Sequence, residues 1–436
     1  MISISMLLVA TTVSACSSSS NDEPVIVEKE YPVSQAISAI PLPPEGKRWI
    51  VNELFSDEFN DGKLDDTKWY DHHPTWIGRT PGLFMSSQIS FKDGMMMLKG
   101  NKMNDTIINA YGSDNKYNVA CAAVVSKTQK AHYGYYECRF KANKTTLSST
   151  FWLSSRNNFK TEGRQPADAE QGIFSQELDI CECIGRSGDF SGKSFCEGMN
   201  SNVHYWFSPT GGEKSDIRSK EVKLKRTDGN LLSDDFNVFG CWWKDASHAT
   251  FYLNNTQSGS TFFENRDTKK PFLFTEPMGL NMVVETYPQP WISLPTDEEL
   301  SDDTKNTTYY DWVRAYLLVD MDEKIDNVDN SQRFENHINL TSKKSAFAVG
   351  QSRLDFPLAY TASKDCFVKL VIFDEKNNQI DSSLKKVYSG YGNLKLSIDH
   401  ALPVDKKYTA VVYLGINDTM DDGNYLEADS FKFTIE

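Results

Sequence analysis

Between Trp49 and about Val319 the chain repeats short runs of β-branched, small apolar and aromatic residues. Val119 to Val125 (VACAAVV), Tyr133 to Phe140, Phe236 to Trp243 and Tyr309 to Leu318 are the clearest. Turns rich in Gly, Asn and Asp separate them, which is the punctuation of strands. No stretch of twelve or more residues competes as an amphipathic helix, so this block of about 270 residues is predicted to be all-β, a sandwich larger than one immunoglobulin-like module. Residues 320–344 (DMDEKIDNVDNSQRFENHINLTSKK) are charged and Asn-rich and predict a linker. Beyond them the alternation resumes in Phe367 to Phe373, Asn393 to Ile398, Tyr408 to Leu414 and Ser430 to Ile435, with a turn at Lys376 to Gln379. Residues 345–436 are therefore predicted to form a second, smaller β-sandwich.

The first residues follow another pattern. Met6 to Val13 (MLLVATTV) is apolar but too short to span a bilayer, and Ser14-Ala15-Cys16 and four serines follow it. Val13-Ser14-Ala15-Cys16 resembles a bacterial lipobox, which implies a signal peptide over 1–15, a lipid anchor on Cys16 and export to the outer membrane, cell surface or periplasm. An ordinary secretory peptide is the other reading. Residues 16–46, rich in Ser, Asp, Glu and Pro, predict a flexible tether.

Charge and cysteine content narrow the classes. Lys and Arg number 46 against 60 Asp and Glu, a net −14, and 12% of residues are aromatic. This acidic balance argues against a duplex-nucleic-acid binder. Beyond Cys16 there are seven cysteines, an odd number, and only Cys181 and Cys183 lie close together. They lack the paired spacing of a zinc site, and most are expected to be buried thiols.

The segment that carries chemistry is Gln176-Glu177-Leu178-Asp179-Ile180-Cys181-Glu182-Cys183. On a regular strand Glu177, Asp179 and Cys181 share a face and Glu182 points away. One β-bulge after Asp179 returns Glu182 to the face of the other two acids. Such a row is costly, because neighbouring carboxylates repel and raise one another's pKa. Retaining glycoside hydrolysis uses that asymmetry, one carboxyl ionised as nucleophile and one protonated as acid. A solvated acidic strand is the plainer alternative.

Glu177-Leu178-Asp179-Ile180-Cys181-Glu182 resembles the signature of glycoside hydrolase family 16 in its bulged Glu-x-Asp-x-x-Glu form. Other segments resemble the family in order: Phe55-Ser56-Asp57-Glu58-Phe59 with Leu64-Asp65 and Lys68-Trp69, then Tyr133-Gly134-Tyr135-Tyr136-Glu137-Cys138-Arg139. Ser149-Thr150-Phe151-Trp152-Leu153, Val203-His204-Tyr205 and Asp311-Trp312-Val313-Arg314-Ala315-Tyr316 follow. The resemblance implies a concave, concanavalin-like β-jelly-roll over 47–319, with Glu177 as nucleophile, Asp179 as its assistant and Glu182 as acid/base.

Within the family, Trp76-Ile77-Gly78-Arg79-Thr80-Pro81 resembles a segment of the red-algal galactanases, the porphyranases, agarases and carrageenases. This implies endo-cleavage of β-1,4 linkages in a galactan. Trp76 suits stacking on a galactose face, and the Arg79 fork suits a sulfate or ring hydroxyls, unless it merely pairs with an acid. Trp152 and Arg156 are expected at the cleft floor, His204 near the nucleophile, and Glu285 and Trp291 at a cleft wall. The family also implies a structural calcium through Glu58, the backbone of Gly94 and Asp311; no cofactor is required for the chemistry. Two rivals remain at this level, a laminarinase-like β-1,3-glucanase and a glycan-binding lipoprotein without turnover.

Overall fold

The computed structural model describes residues 40–108, 110–112, 114–155, 172–209, 212–399, 401–404, 406–420 and 423–436. The signal segment 1–15, Cys16, the tether up to residue 39 and Arg156 lie outside the described residues. Two antiparallel sheets dominate. The cleft sheet runs Ser215–Arg218, Gly198–Pro209, Gly172–Ile184, Ser148–Ser154, Gly279–Val284, Lys116–Ser126 and Trp69–Tyr70. The outer sheet runs Gln257–Phe262, His248–Leu253, Asn237–Trp243, Gly134–Lys141, Thr307–Asp320 and Lys47–Val51 before continuing into the C-terminal residues.

The core lies between them. Phe151, Leu153, Leu178 and Val203 of the cleft sheet join Tyr136, Cys138, Phe140, Phe239 and Cys241 of the outer sheet in one buried cluster. Alternation puts the intervening residues of the cleft strands on the opposite face, where Thr150, Trp152 and Ser154 line a cavity. Val119–Val125 is buried at every position, because short strands at Gly82–Phe84 and Asn101–Ile108 also pair with it. This explains its continuously apolar sequence. All seven described cysteines are free and buried, as expected of apolar thiols.

The second block is a β-sandwich as expected, and one of its two sheets continues from the first block. Five strands, Ala346–Phe347, Glu427–Ile435, Lys407–Gly415, Cys366–Phe373 and Gln379–Val387, make one sheet. The facing sheet, Gly390–Ile398, Leu354–Ala362 and His337–Leu340, is a continuation of the outer sheet. The strand Lys47–Val51 makes the join, pairing Trp49 with Leu318 on one side and with Tyr391 on the other.

Two expected connectors are thereby corrected in part. The end of the tether is packed: Ile40 is buried, Trp49 Nε1–H donates to the Pro41 carbonyl at 2.8 Å, and Asn393 Nδ2–H donates to that of Pro43 at 2.9 Å. Within 320–344, Met321, Phe334, Ile338 and Leu340 are buried, and the Val51 N–H donates to Asn330 Oδ1 at 3.0 Å. The polar majority of this segment hides a few apolar anchors, each of which finds the core.

Candidate active site

The strand Gly172–Ile184 carries the three acids, and its pairing shows the expected bulge. Against Ser148–Ser154, Asp179 faces Trp152 and Cys181 faces Phe151; against Gly198–Pro209, Asp179 faces Asn202 and Glu182 faces Asn200. The extra residue turns Ile180 and Cys181 both into the core, fully buried, and returns Glu182 to the cleft. Directly after the strand, a Cβ on Gly185 would stand 1.5 Å from the Asn143 carbonyl oxygen, so only glycine lets the chain leave so close to its neighbour.

Glu177, Asp179 and Glu182 line one cavity of about 450 Å³ together with Trp76, Arg79, Trp152, Trp206 and Glu285. Carboxylate and ring atoms of Glu177, Asp179 and His204 all lie within 4.8 Å of one another. Trp206 Nε1–H donates to Glu177 Oε2 at 3.1 Å, and the Tyr287 hydroxyl donates to Glu182 Oε1 at 3.1 Å. Burial, reinforced by the Asp179 charge, pushes the Glu177 carboxyl up, and burial with the Glu182 charge does the same to Asp179. Burial pushes Glu182 to about 7, the nearby His204 opposing the shift. Burial thus favours the neutral form of each of the three carboxyls, and the nearby His204 charge opposes it.

His204 lies beside the nucleophile candidate as expected, with both ring nitrogens close to other side chains. It does not present a free nitrogen to the cleft. Its Nε2 lies 3.3 Å from Asp179 Oδ2, its Nδ1 lies 2.7 Å from Asp216 Oδ1, and its ring stacks on Trp206 at 5.2 Å. Burial alone lowers its pKa, but the hydrogen bonds to Asp179 and Asp216 outweigh it and raise the value to about 10. His204 therefore acts on the acids and not directly on a ligand.

The loop bearing Trp76 and Arg79 reaches the cavity as expected. Gly78 makes its turn possible, with φ +114°, and a Cβ there would lie 2.5 Å from the Gly82 carbonyl oxygen. Trp76 packs edge-on against Phe84 and His73, with the Arg79 guanidinium 5.7 Å above its ring. Arg79 Nε–H donates to Glu285 Oε2 at 3.2 Å, so this arginine is paired with an acid while it also lines the cleft. Glu285 is itself pushed to about 7 by burial, although Arg79 opposes the shift. Trp152 lies on the floor, its Nε1–H donating to Thr150 Oγ1 at 3.1 Å.

Trp291 lines a second cavity, of about 270 Å³, with Glu182, Arg218, Lys223 and Arg266. Glu182 is common to both cavities. Sequence reasoning missed Tyr287, Asp216, Arg218, Lys214 and His73. None sits in a local motif; sheet register and loop packing bring them to the site.

The calcium expectation fails on the donors. Glu58 is held by Arg314 at 2.9 and 3.0 Å and by Arg333 at 3.2 Å, and Asp311 is paired with Arg139. The two carboxylates face guanidinium charges that already neutralise them, so with the Gly94 carbonyl they do not form the open, oxygen-rich cage calcium needs.

Comparison with known proteins agrees with this geometry. Residues 49–318 match the family model "Beta-porphyranase A-D, GH16 domain", and residues 338–422 match "Porphyranase-associated domain". The chain is 48% identical over 373 residues to β-porphyranase D of Zobellia galactanivorans, covering 84% of this chain and 85% of that protein. It is 38% identical over 308 residues to β-porphyranase B of Phocaeicola plebeius, covering 68% and 93%. The crystal structure of a β-porphyranase from the human gut bacterium Bacteroides plebeius superposes with a TM-score of 0.55 at 36% identity, over 65% of this chain and 96% of that one.

Proposed function

The chain belongs to glycoside hydrolase family 16, in the group of the β-porphyranase A–D domains, and from that premise we propose that it is an endo-acting, retaining hydrolase of β-1,4-galactosidic linkages in porphyran. The observation that carries the reading is the bulged strand, which presents Glu177, Asp179 and Glu182 to one cavity.

Glu182, whose protonated form burial favours, gives its proton to the glycosidic oxygen while Glu177 attacks the anomeric carbon. The C–O bond to the leaving sugar breaks and a glycosyl ester of Glu177 forms. Glu182, now a carboxylate, takes a proton from water; the hydroxide formed attacks the anomeric carbon and frees Glu177. An acid/base stands between the two sugars it separates. Because Glu182 borders both cavities, the one holding Glu177 takes the sugar that becomes the ester and the one holding Trp291 takes the leaving sugar. Arg218, Lys223 and Arg266 on the leaving side bring donors suited to a sulfated residue, which favours porphyran over agarose. Lipidation at Cys16 would place the enzyme at the membrane surface, its cleft free for polymer.

The test is incubation of the chain with porphyran, agarose, κ-carrageenan, furcellaran, laminarin and mixed-linkage glucan, following reducing ends and oligosaccharide masses. Release from porphyran is expected. Release from laminarin alone would overturn the galactan reading while leaving the acids in place, and release from none, with folding intact, would point to a binding protein.

A further inference from the structure

The strand Ser215–Arg218 adds a feature that the three acids do not account for. It forms the edge of the cleft sheet beside Gly198–Pro209, with His204 opposite Arg218 and Trp206 opposite Asp216 in register. Asp216 sits between two cations. Its Oδ1 is 2.7 Å from His204 Nδ1, and its Oδ2 accepts from Arg218 Nε at 2.6 Å. On the far side of the imidazole, Nε2 is 3.3 Å from Asp179 Oδ2. A continuous chain therefore runs from Arg218 through Asp216 and His204 to Asp179, whose carboxylate lies within 4.8 Å of that of Glu177.

We propose that Asp216 is a positioning residue of the hydrolase: it holds His204 as an imidazolium, and that buried positive charge favours the ionised form of Glu177. The groups that face the ring pull both ways, the acids holding its second proton and the Asn202 amide, with Nδ2 3.1 Å from Nε2, opposing it together with the nearby cations. The catalytic strand presents Glu177, Asp179 and Glu182, the edge strand presents Asp216 with Arg218 behind it, and Lys214 sits 4.3 Å above the Trp206 ring on which His204 stacks. Three carboxyls and one aspartate surround one imidazole, so it keeps its second proton. Without that charge, burial and the Asp179 charge have less to oppose them in driving a proton onto Glu177, and a protonated carboxyl does not attack an anomeric carbon. Arg218 orients Asp216 and also lines the leaving-group cavity, so occupancy of that cavity adjoins the chain that sets the nucleophile's charge.

The inference rests on Glu177 being the nucleophile, and its test separates the two. Ring-nitrogen NMR of the histidine-labelled full chain, with His204 assigned by loss of its signals in His204→Gln, reads the charge with no substrate present. Wild-type His204 is expected to stay doubly protonated through pH 8, and in Asp216→Asn to lose its proton more than one pH unit lower. On porphyran, Asp216→Asn should move the acidic limb of kcat up by about one pH unit, so that kcat below that limb falls about tenfold while KM changes less than about twofold; Asp216→Glu should restore the limb. A neutral His204 in the wild type at pH 7, an unshifted titration in Asp216→Asn, or a kcat loss equal at every pH would overturn the proposal, whatever the substrate panel returns.

Discussion

Glu137 in the outer sheet and Glu182 in the cleft sheet are two glutamates that burial pushes to the same pKa, about 7, with opposite surroundings. Glu137 is 3% exposed, accepts from the Tyr316 hydroxyl at 3.2 Å, and is opposed in its shift by Arg314. Its strand neighbour Tyr135 packs with Trp49, Tyr316 and Tyr391 at the join with the C-terminal sheet. Glu182 borders two cavities and its hydrogen bond comes from Tyr287, beside the loop that carries Trp291. A displaced pKa therefore marks burial in both places, and of the two only Glu182 lines the cleft. What separates them is access for a ligand and a second carboxyl on the same face.

That comparison breaks most sharply on activity. Glu182→Gln should lower kcat on porphyran about 10³-fold, whereas Glu137→Gln should stay within about twofold, by initial-rate reducing-end assays on both variants. Equal losses would mean that the outer acid also serves the chemistry. The next effect reverses the regions: Trp49→Ala, at a fully buried ring of the join, should cost about 3–5 kcal/mol in urea unfolding while leaving kcat per folded molecule unchanged. An intact unfolding midpoint would show that the shared sheet contributes little.

The smallest effect is common to both glutamates. A carboxyl raised from 4.5 to about 7 contributes its stability in full below pH 4.5 and loses it as pH rises through 7. Glu137→Gln and Glu182→Gln should therefore each gain on the wild type between pH 4.5 and 7 and level off above, by at most about 3 kcal/mol. Thermal unfolding across that range measures it. Parallel stability curves with divergent activities would confirm that burial and function are separate properties of these two side chains.

The catalytic strand was legible in the sequence because its chemistry is local. Glu177, Asp179 and Glu182 lie within six residues, and period-two alternation with one bulge suffices to bring them together. The loop of Trp76 and Arg79 was legible through its resemblance to a contiguous segment of the family. Asp216 was not, because it meets His204 only through the register of an edge strand twelve residues on, in a segment with no motif of its own. The join was hidden by composition: 320–344 and 16–46 read as polar connectors, yet Asn330, Phe334 and Pro41 bind the strand that joins the outer sheet to its C-terminal continuation. Glu58 and Asp311 misled in the opposite direction. Their residue types suit calcium, but Arg139, Arg314 and Arg333 reach them first.

The central claim is that Glu177 and Glu182 cleave a red-algal galactan by double displacement. Proton NMR of the reducing-end anomer, recorded within the first minutes of porphyran digestion and before mutarotation, tests it most directly. The account predicts the β-anomer first, with the α-anomer growing in later. An α-anomer appearing first would contradict it, because a single displacement by water needs no nucleophile at Glu177.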